Sequence, residues 1–296
     1  MFVVTLIAPP LSSGLDAGLK ARIGDVLGHV FREDKLHETH ASDLMLDREP
    51  LPGAWEAARE LADRGGIDAV LQRTGERRKS ILIADMDSTM IDQECIDELA
   101  AEIGAKDAVS KITARAMNGE IEFESALRER VALLQGLSET VIGTVISQRI
   151  TLSKGGAQLV ATMRANGAYT ALVSGGFTAF TGVIAERLGF DENRANVLLI
   201  ENGMLTGKVA EPILGSDAKV AALIDIAGMR GVDMRDALAV GDGANDLGMI
   251  ALAGAGVALH AKPSVAQRAE HRISHGDLTA LLYMQGYRAD EFSDVS

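Results

Sequence analysis

The feature that most constrains the fold is a short apolar run that ends in two aspartates. The run Ile81–Ala84 is continuous and rich in isoleucine, which is typical of a buried strand in a parallel sheet. Asp85 and Asp87 follow it, so both carboxylates are expected at the strand's carboxyl end, where open α/β sheets bind ligands. Such close like charges repel unless a cation such as Mg²⁺ lies between them. The alternative interpretation is a pair of solvated loop acids.

The chain after Lys79 alternates short apolar runs with helical patterns. Strands are predicted at Ala168–Val173, Asn196–Ile200, Ala237–Val240 and Gly256–Leu259, and helices at Ala157–Ala165, Phe177–Leu188 and Ala218–Ala227. This alternation indicates βα units, so we predict an α/β fold with a doubly wound parallel sheet. From Glu94 to about Gln148 the pattern is helical throughout. It predicts a helical cap at about residues 94–150, above the carboxyl edge of the sheet.

A small α+β domain is predicted over residues 1–76. Its β-like runs and helical patterns alternate, at Phe2–Ala8, Leu15–Val30, Thr39–Leu46 and Ala54–Ala62. Two glycines at 65–66 and a charged run at 76–79 then indicate a domain edge. The second domain is therefore expected to span residues 79–296, and nothing in the first points to catalysis.

Composition excludes several classes of function. The chain has 296 residues, a net charge of −13 and a pI near 4.9, which argues against a nucleic-acid or anionic-membrane surface. The single cysteine, Cys95, excludes an internal disulfide framework and indicates a buried structural thiol. No apolar run reaches membrane-spanning length and the first residues lack a basic region, so we expect a cytoplasmic protein. Neither glycine cluster near the C-terminus fits the dinucleotide-binding fingerprint.

Two further strand ends carry phosphate-binding candidates. The Ser174 hydroxyl and the backbone N–H groups at Gly175 and Gly176 can hold phosphate oxygens, although a simple tight turn explains the same residues. A lysine is also expected to contact phosphate. Lys219 and Lys154 are the candidates, and spacing alone does not choose between them.

Acidic residues at another strand end extend the metal site. Asp242 lies between two glycines, which allow the backbone to approach a ligand closely. With Asp85 it is expected to supply the carboxylate ligands of Mg²⁺, while Asp246 orients the metal's other ligands.

Together these groups predict phosphoryl transfer. Asp85 attacks phosphorus to form an aspartyl-phosphate. Asp87 protonates the leaving alkoxide and then deprotonates the water that hydrolyses the intermediate. Mg²⁺, Lys219 and Ser174 offset the negative charge of the transferring oxygens.

In this order the motifs resemble those of the haloacid dehalogenase (HAD) superfamily. The matching blocks are Asp85–Thr89, Ser174–Gly176, Lys219 and Gly241–Asp246. Over about residues 79–290 the chain is also similar to the phosphoserine phosphatase family, including the cap segment Met117–Phe123 and the ending Gly276–Tyr287. This resemblance implies Mg²⁺-dependent hydrolysis of O-phospho-L-serine, the last step of L-serine biosynthesis.

The resemblance also implies how the cap recognises the substrate. Glu94 falls at the position that binds the substrate ammonium, and Arg130 at the position that binds its carboxylate. Phe123 and Met117 fall at the apolar lid. From spacing alone, Glu94 and Arg130 are equally explained as helix-surface charges.

At the phosphate end, the resemblance implies substrate contacts from Gly175 and Asn245, and a metal ligand from the backbone carbonyl of Asp87. A phosphoserine–homoserine phosphotransferase, or another small-metabolite HAD phosphatase, would use the same residues. A signalling receiver is disfavoured by Asp87 and by the cap. The first domain is compatible with an ACT-like regulatory domain or with a homodimer surface, although its first strand–helix turn, residues 9–14, matches an amino-acid site poorly.

Overall fold

The first part of the chain is a four-stranded antiparallel sheet with two helices on one face. The computed structural model describes residues 1–117 and 120–295, and of Met117 the backbone alone. The elements are β1 (Phe2–Ile7), α1 (Ala17–Leu27), β2 (Val30–Lys35), β3 (Ala41–Leu46), α2 (Pro52–Arg64) and β4 (Asp68–Arg73). The strand order β2-β3-β1-β4 gives a βαββαβ arrangement. The helix predicted through Val30 ends earlier, because Gly28 and His29 both have positive φ.

The open face of this sheet packs against the rest of the protein. Ile7, Ala41 and Val70 belong to the same hydrophobic core as the parallel sheet. Arg77 crosses the boundary, since it donates hydrogen bonds to Asp43 on one side and to backbone carbonyls at residues 283 and 284 on the other. The small domain is therefore docked over a continuous core.

A helical segment follows the first strand of the second domain, as predicted. After β5 (Ile81–Ala84) come α3 (Cys95–Ala101), α4 (Lys106–Met117), α5 (Phe123–Ala132) and α6 (Thr140–Gln148). Helix α5 buries Ala126, Leu127 and Val131, which lie on one side of the helix, and it leaves Glu124, Arg128 and Glu129 exposed.

The remaining elements alternate between strands and helices. They are α7 (Gly156–Ala165), β6 (Tyr169–Phe177), α8 (Thr178–Leu188), β7 (Glu192–Asn196), β8 (Leu198–Glu201), β9 (Met204–Val209), α9 (Ser216–Arg230), β10 (Ala237–Gly241), α10 (Leu247–Leu252), β11 (Ala255–Leu259), α11 (Pro263–Ala266), β12 (His271–Ile273) and α12 (Ala280–Met284). Short 3₁₀ turns lie at Thr74–Glu76, Met234–Asp236, Ala244–Asp246 and Ala289–Glu291. Within the described residues, no helix is both long and apolar enough to span a bilayer.

Six strands form the predicted doubly wound parallel sheet, in the order β12-β11-β10-β5-β6-β7. All four residues of β5 are buried, as expected for a central strand. Ala84 at its end pairs with Leu172 of β6 and Val240 of β10. Because the strand order reverses between β5 and β10, the sheet has its switch point there, where α/β proteins bind ligands.

The strand predicted at Asn196–Ile200 is wrong in its bounds. It is two strands: β7 ends at Asn196 in the parallel sheet, and β8 pairs with β9 as an antiparallel hairpin. The hairpin packs on the cap, where Leu205 exchanges backbone hydrogen bonds of 2.8 and 2.9 Å with Leu137 and Gly136. The sequence hides the break, because the apolar run 197–200 follows β7 directly, with no glycine or proline between the two strands.

Candidate active site

A cavity of about 330 Å³ lies at the switch point, between the sheet and cap helices α4 and α5. Nine of the twelve predicted site residues line it: Asp85, Asp87, Glu94, Phe123, Arg130, Ser174, Gly175, Asp242 and Asn245. Lys219 and Asp246 lie buried beside Asp85. The side chain of Met117 lies outside the described residues, so its place at the lid stays a prediction.

Lys219 lies in the first turn of α9 and is 2% exposed. Its Nζ is 2.6 Å from Oδ1 of Asp85 and 2.6 Å from Oδ1 of Asp246. Burial alone would lower the pKa of Lys219, but the two carboxylates outweigh it and raise the pKa above its ordinary value. The lysine is therefore charged beside the predicted nucleophile. Lys154, the other candidate, is exposed on the loop before α7.

Asp246 holds both Lys219 and the backbone next to Asp242 through hydrogen bonds. Its Oδ2 accepts the N–H of Gly243 at 2.9 Å, while its Oδ1 accepts from Lys219. A Cβ on Gly241 would lie 2.3 Å from Cγ of Asp246, so the close approach requires glycine there. Asp246 thus positions the lysine and the turn that carries Asp242.

The three aspartates at positions 85, 242 and 246 have carboxylate oxygens within 4.8 Å of one another. Burial, followed by repulsion from Asp246, raises the pKa of Asp85 well above its ordinary value and that of Asp242 to about 7. One lysine does not balance this negative charge. A donor set made only of oxygens suits a hard divalent cation, which would remove the repulsion.

Asp87 follows β5, and its side chain contacts the first residue of α3. Its Oδ1 accepts the N–H of Cys95 at 3.1 Å, and burial followed by repulsion from Glu94 raises the pKa of Asp87 to about 7. A carboxyl group with this pKa can both give and take a proton near neutral pH. Cys95 itself is fully buried, as the sequence predicts for a structural thiol.

Ser174, Gly175 and Gly176, predicted as a turn after the strand, form the last part of β6, where its pairing with β7 is interrupted. Ser174 Oγ accepts the N–H of Gly176 at 2.9 Å, which leaves its own proton available toward the cavity. A Cβ on Gly175 would lie 3.0 Å from Cζ of Phe123, and one on Gly176 would lie 2.9 Å from Oδ2 of Asp87. The two glycines thus allow the Phe123 ring and the Asp87 carboxylate to lie close to the backbone.

Asn196, at the end of β7, holds the same glycine segment and was missed by the sequence analysis. It is 2% exposed. Its Nδ2 donates to the carbonyls of Gly175 and Leu214 at 2.9 and 3.1 Å, and its Oδ1 accepts the N–H of Leu214 at 2.7 Å. This one amide joins the glycine segment of β6 to the segment that leads into α9 and Lys219. An asparagine at a strand end gives no sequence signal for such a role.

Glu94 and Arg130 provide opposite charges in the cavity. Glu94 Oε1 accepts the hydroxyl of Ser88 at 2.8 Å, and burial raises the pKa of Glu94. Arg130 on α5 donates to Thr113 Oγ1 at 3.2 Å and to the carbonyl of Ala126 at 3.3 Å. In the part of the chain that the structure describes, no carboxylate lies within 4.0 Å of the guanidinium. The cavity therefore offers an acid and an unpaired cation to a zwitterionic ligand.

Residues 82–251 match the model of the haloacid dehalogenase-like hydrolase family. Several curated phosphoserine phosphatases are similar in sequence. The protein from Albidiferax ferrireducens is 45% identical, over 68% of this chain and 87% of its own length. The protein from Streptomyces coelicolor is 37% identical, over 98% of this chain and 71% of its own length. That from Archaeoglobus fulgidus is 44% identical, over 75% of this chain but only 65% of its own length. This chain belongs to the phosphoserine phosphatase family of haloacid dehalogenase-like hydrolases.

Solved structures of the superfamily agree with this assignment. A HAD family hydrolase from Salmonella enterica serovar Typhi matches with a TM-score of 0.87 and 29% identity, over 96% of this chain and 98% of its own. Two phosphoserine phosphatase structures, one substrate-bound and one a phospho-aspartyl intermediate analogue, match with TM-scores of 0.66 and 39% identity. Both matches cover 70% of this chain. They cover 99% of the substrate-bound protein's chain and 98% of the chain of the intermediate analogue.

Proposed function

We propose that this chain hydrolyses O-phospho-L-serine to L-serine and phosphate, as the last step of L-serine biosynthesis, through a phosphorylated Asp85. The observation that carries the proposal is the arrangement of one cavity. Asp85, held by buried Lys219, lies at the switch point, and an unpaired Arg130 faces the same space. The substrate-bound structure and the phospho-aspartyl analogue of related enzymes support the same substrate and intermediate.

Two aspartates carry the bond changes. The Asp85 carboxylate attacks phosphorus, and the bond between phosphorus and the serine oxygen breaks. Asp87 gives its proton to that oxygen, and its raised pKa of about 7 keeps the proton available near neutral pH. Asp87 then takes a proton from the water that attacks the acyl phosphate, which releases phosphate and restores Asp85.

The metal in this proposal is Mg²⁺, held by Asp85, Asp242 and the backbone carbonyl of Asp87. When bound, it would offset the negative charge of the transferring phosphoryl group and of the nucleophile. The side chain of Asp246 does not need to reach the metal, because its two oxygens already hold Lys219 and the N–H of Gly243.

The substrate's remaining groups have complementary partners. The Ser174 hydroxyl, the Gly175 N–H, Lys219 and Asn245 surround the phosphate. Glu94 receives the ammonium group and Arg130 the carboxylate, by charge-assisted hydrogen bonds. Phe123 serves as the apolar lid over this pocket in the proposal, and Met117 is assigned to the lid only by the resemblance of its segment to the family's cap.

The testing experiment measures phosphate release from L-phosphoserine and p-nitrophenyl phosphate, with Mg²⁺ or EDTA. We expect release that favours phosphoserine and is abolished by EDTA and by Asp85→Asn. Arg130→Ala should lower kcat/KM for phosphoserine at least about tenfold more than for p-nitrophenyl phosphate, since a charge-assisted bond to the carboxylate is lost. Equal loss on both substrates would refute the role of Arg130. Formation of phosphohomoserine on addition of homoserine would instead indicate the phosphotransferase.

The small domain is proposed to act in the cytoplasm either as an ACT-like regulatory module or as the contact of a homodimer. Its βαββαβ arrangement supports both roles. Light scattering of the full chain at several concentrations tests the dimer, and calorimetric titration of the full chain with L-serine tests the regulatory role. A monomer throughout that gives no heat on titration with serine would exclude both roles.

A further inference from the structure

The proton of the Thr113 hydroxyl is used in a hydrogen bond within its own helix. Thr113 lies on α4 and lines the cavity. Its Oγ1 donates to the carbonyl of Val109, one turn earlier, at 3.1 Å. Because a hydroxyl has a single proton, only its lone pairs remain, and they accept Nη1–H of Arg130 at 3.2 Å. Thr113 is thus an acceptor with a fixed direction beside the guanidinium.

The guanidinium is held at two of its five N–H groups. The Nε–H donates to Ala126, one turn earlier on α5, and one Nη1–H donates to Thr113. Three N–H groups remain, on Nη1 and Nη2. A carboxylate bound in bidentate fashion needs two of them. The arrangement therefore fixes the side chain of Arg130 and still leaves enough donors for a carboxylate.

Fixing an arginine before the ligand arrives has a predictable effect on affinity. A free arginine side chain loses substantial rotamer freedom on binding, and a guanidinium already anchored loses less. The anchor from Ala126 is a backbone carbonyl that every residue at that position supplies. The anchor from Thr113 depends on a side chain, so a substitution at position 113 can change how firmly the guanidinium of Arg130 is held.

We propose that Thr113 is a positioning residue that sets selectivity for substrates carrying a carboxylate, because it fixes the guanidinium of Arg130. The inference rests on the proposed function, in which Arg130 binds the carboxylate of phosphoserine. Thr113 takes no part in the bond changes, and its effect is confined to substrates that have this group.

The test compares two substrates that differ only by the carboxylate, O-phospho-L-serine and O-phosphoethanolamine. Thr113→Val keeps the shape and removes the acceptor. We expect kcat/KM for phosphoserine to fall about tenfold, mainly through KM, and that for phosphoethanolamine to change less than about twofold. Thr113→Ser should restore most of the loss. If the valine variant does not fold, Thr113→Ala serves for the same comparison.

Thr144→Val is the matched control. Thr144 makes the same bond to the carbonyl one turn earlier, on α6, but it is exposed and outside the cavity. It should match the wild type on both substrates. Equal losses on both substrates for Thr113→Val, no loss, or a serine variant as impaired as valine would each overturn the inference. A wild type that hydrolyses phosphoethanolamine but not phosphoserine would overturn the proposed function itself.

Discussion

Two adjacent arginines at the domain boundary should differ strongly in what they contribute to stability. Arg77 and Arg78 each form an ion pair with an N–O distance of 2.6 Å, with Asp43 and Glu291 respectively. The Arg77 pair is 11% and 5% exposed, whereas the Arg78 pair is 47% and 38% exposed. The two ion pairs have the same N–O distance and differ in burial. Comparing them therefore tests how burial changes the contribution of an ion pair to the free energy of unfolding.

The expected losses follow from that burial. Arg77→Ala leaves the carboxylate of Asp43 buried without a cation, which costs about 3–5 kcal/mol of unfolding free energy. Arg78→Ala removes an exposed pair, worth about 0.2–1 kcal/mol, and the stacking of the guanidinium 4.0 Å from the Tyr287 ring, worth about 0.5–1 kcal/mol. For a chain of this length these losses correspond to Tm shifts of about 5–8 °C and about 1–3 °C.

Scanning calorimetry and guanidinium denaturation of the two variants measure the difference. In the Arg77→Ala background, Asp43→Asn should recover part of the loss, because the buried charge is then gone. Tm shifts for Arg77→Ala and Arg78→Ala that agree within about 1 °C would refute the argument from burial.

Three further outcomes are expected. Gly175→Ala should lower kcat/KM about tenfold in steady-state assays, because its Cβ would lie 3.0 Å from Phe123 Cζ. Measured against Phe123→Leu alone, the same substitution should cost less, and an undiminished cost would show that the clash is not the cause. Asn196→Ala should cost about 3 kcal/mol or more in urea denaturation, because two carbonyls and the N–H of Leu214 lose a buried partner, and a cost below about 1 kcal/mol would contradict this. Burial lowers the pKa of His271 below its ordinary 6.5, so in the window below that pH the unfolded chain binds a proton that the folded chain does not. Stability should therefore fall with decreasing pH there, by at most about 1.4 kcal/mol per pH unit, and His271→Gln should show a shallower slope in pH-dependent denaturation; an unchanged slope would exclude His271.

Local sequence was enough to predict the residues that follow parallel strands. Asp85, Ser174 and Asp242 each come directly after, or at the end of, an apolar run. The carboxyl ends of parallel strands meet at one edge, so the strand assignment already places these side chains together. The doubly wound sheet and the helical cap followed from the same alternation of patterns.

Contacts between distant elements were not predictable in this way. Lys219 is distinguished from Lys154 by packing against Asp85 and Asp246, which spacing along the chain does not encode. Asn196 donates to the backbone carbonyl of Gly175, and Thr113 accepts from the side chain of Arg130. The residues next to Asn196 and Thr113 in sequence do not indicate either contact. Short elements were also missed, because the three residues of β12 are too few to show a period.

The hairpin β8–β9 changes what motion of the cap requires. The roof of the cavity is built from two separate stretches of chain, because Leu205 of the hairpin is hydrogen-bonded to Gly136 and Leu137 of the helical insertion. The roof is consequently tied to the sheet by four chain crossings, two at the ends of the helical insertion and two at the base of the hairpin. Any displacement that admits substrate must bend all four in concert or break those backbone bonds. Access to the cavity is thus governed in part by residues 197–210, which contribute nothing to its lining.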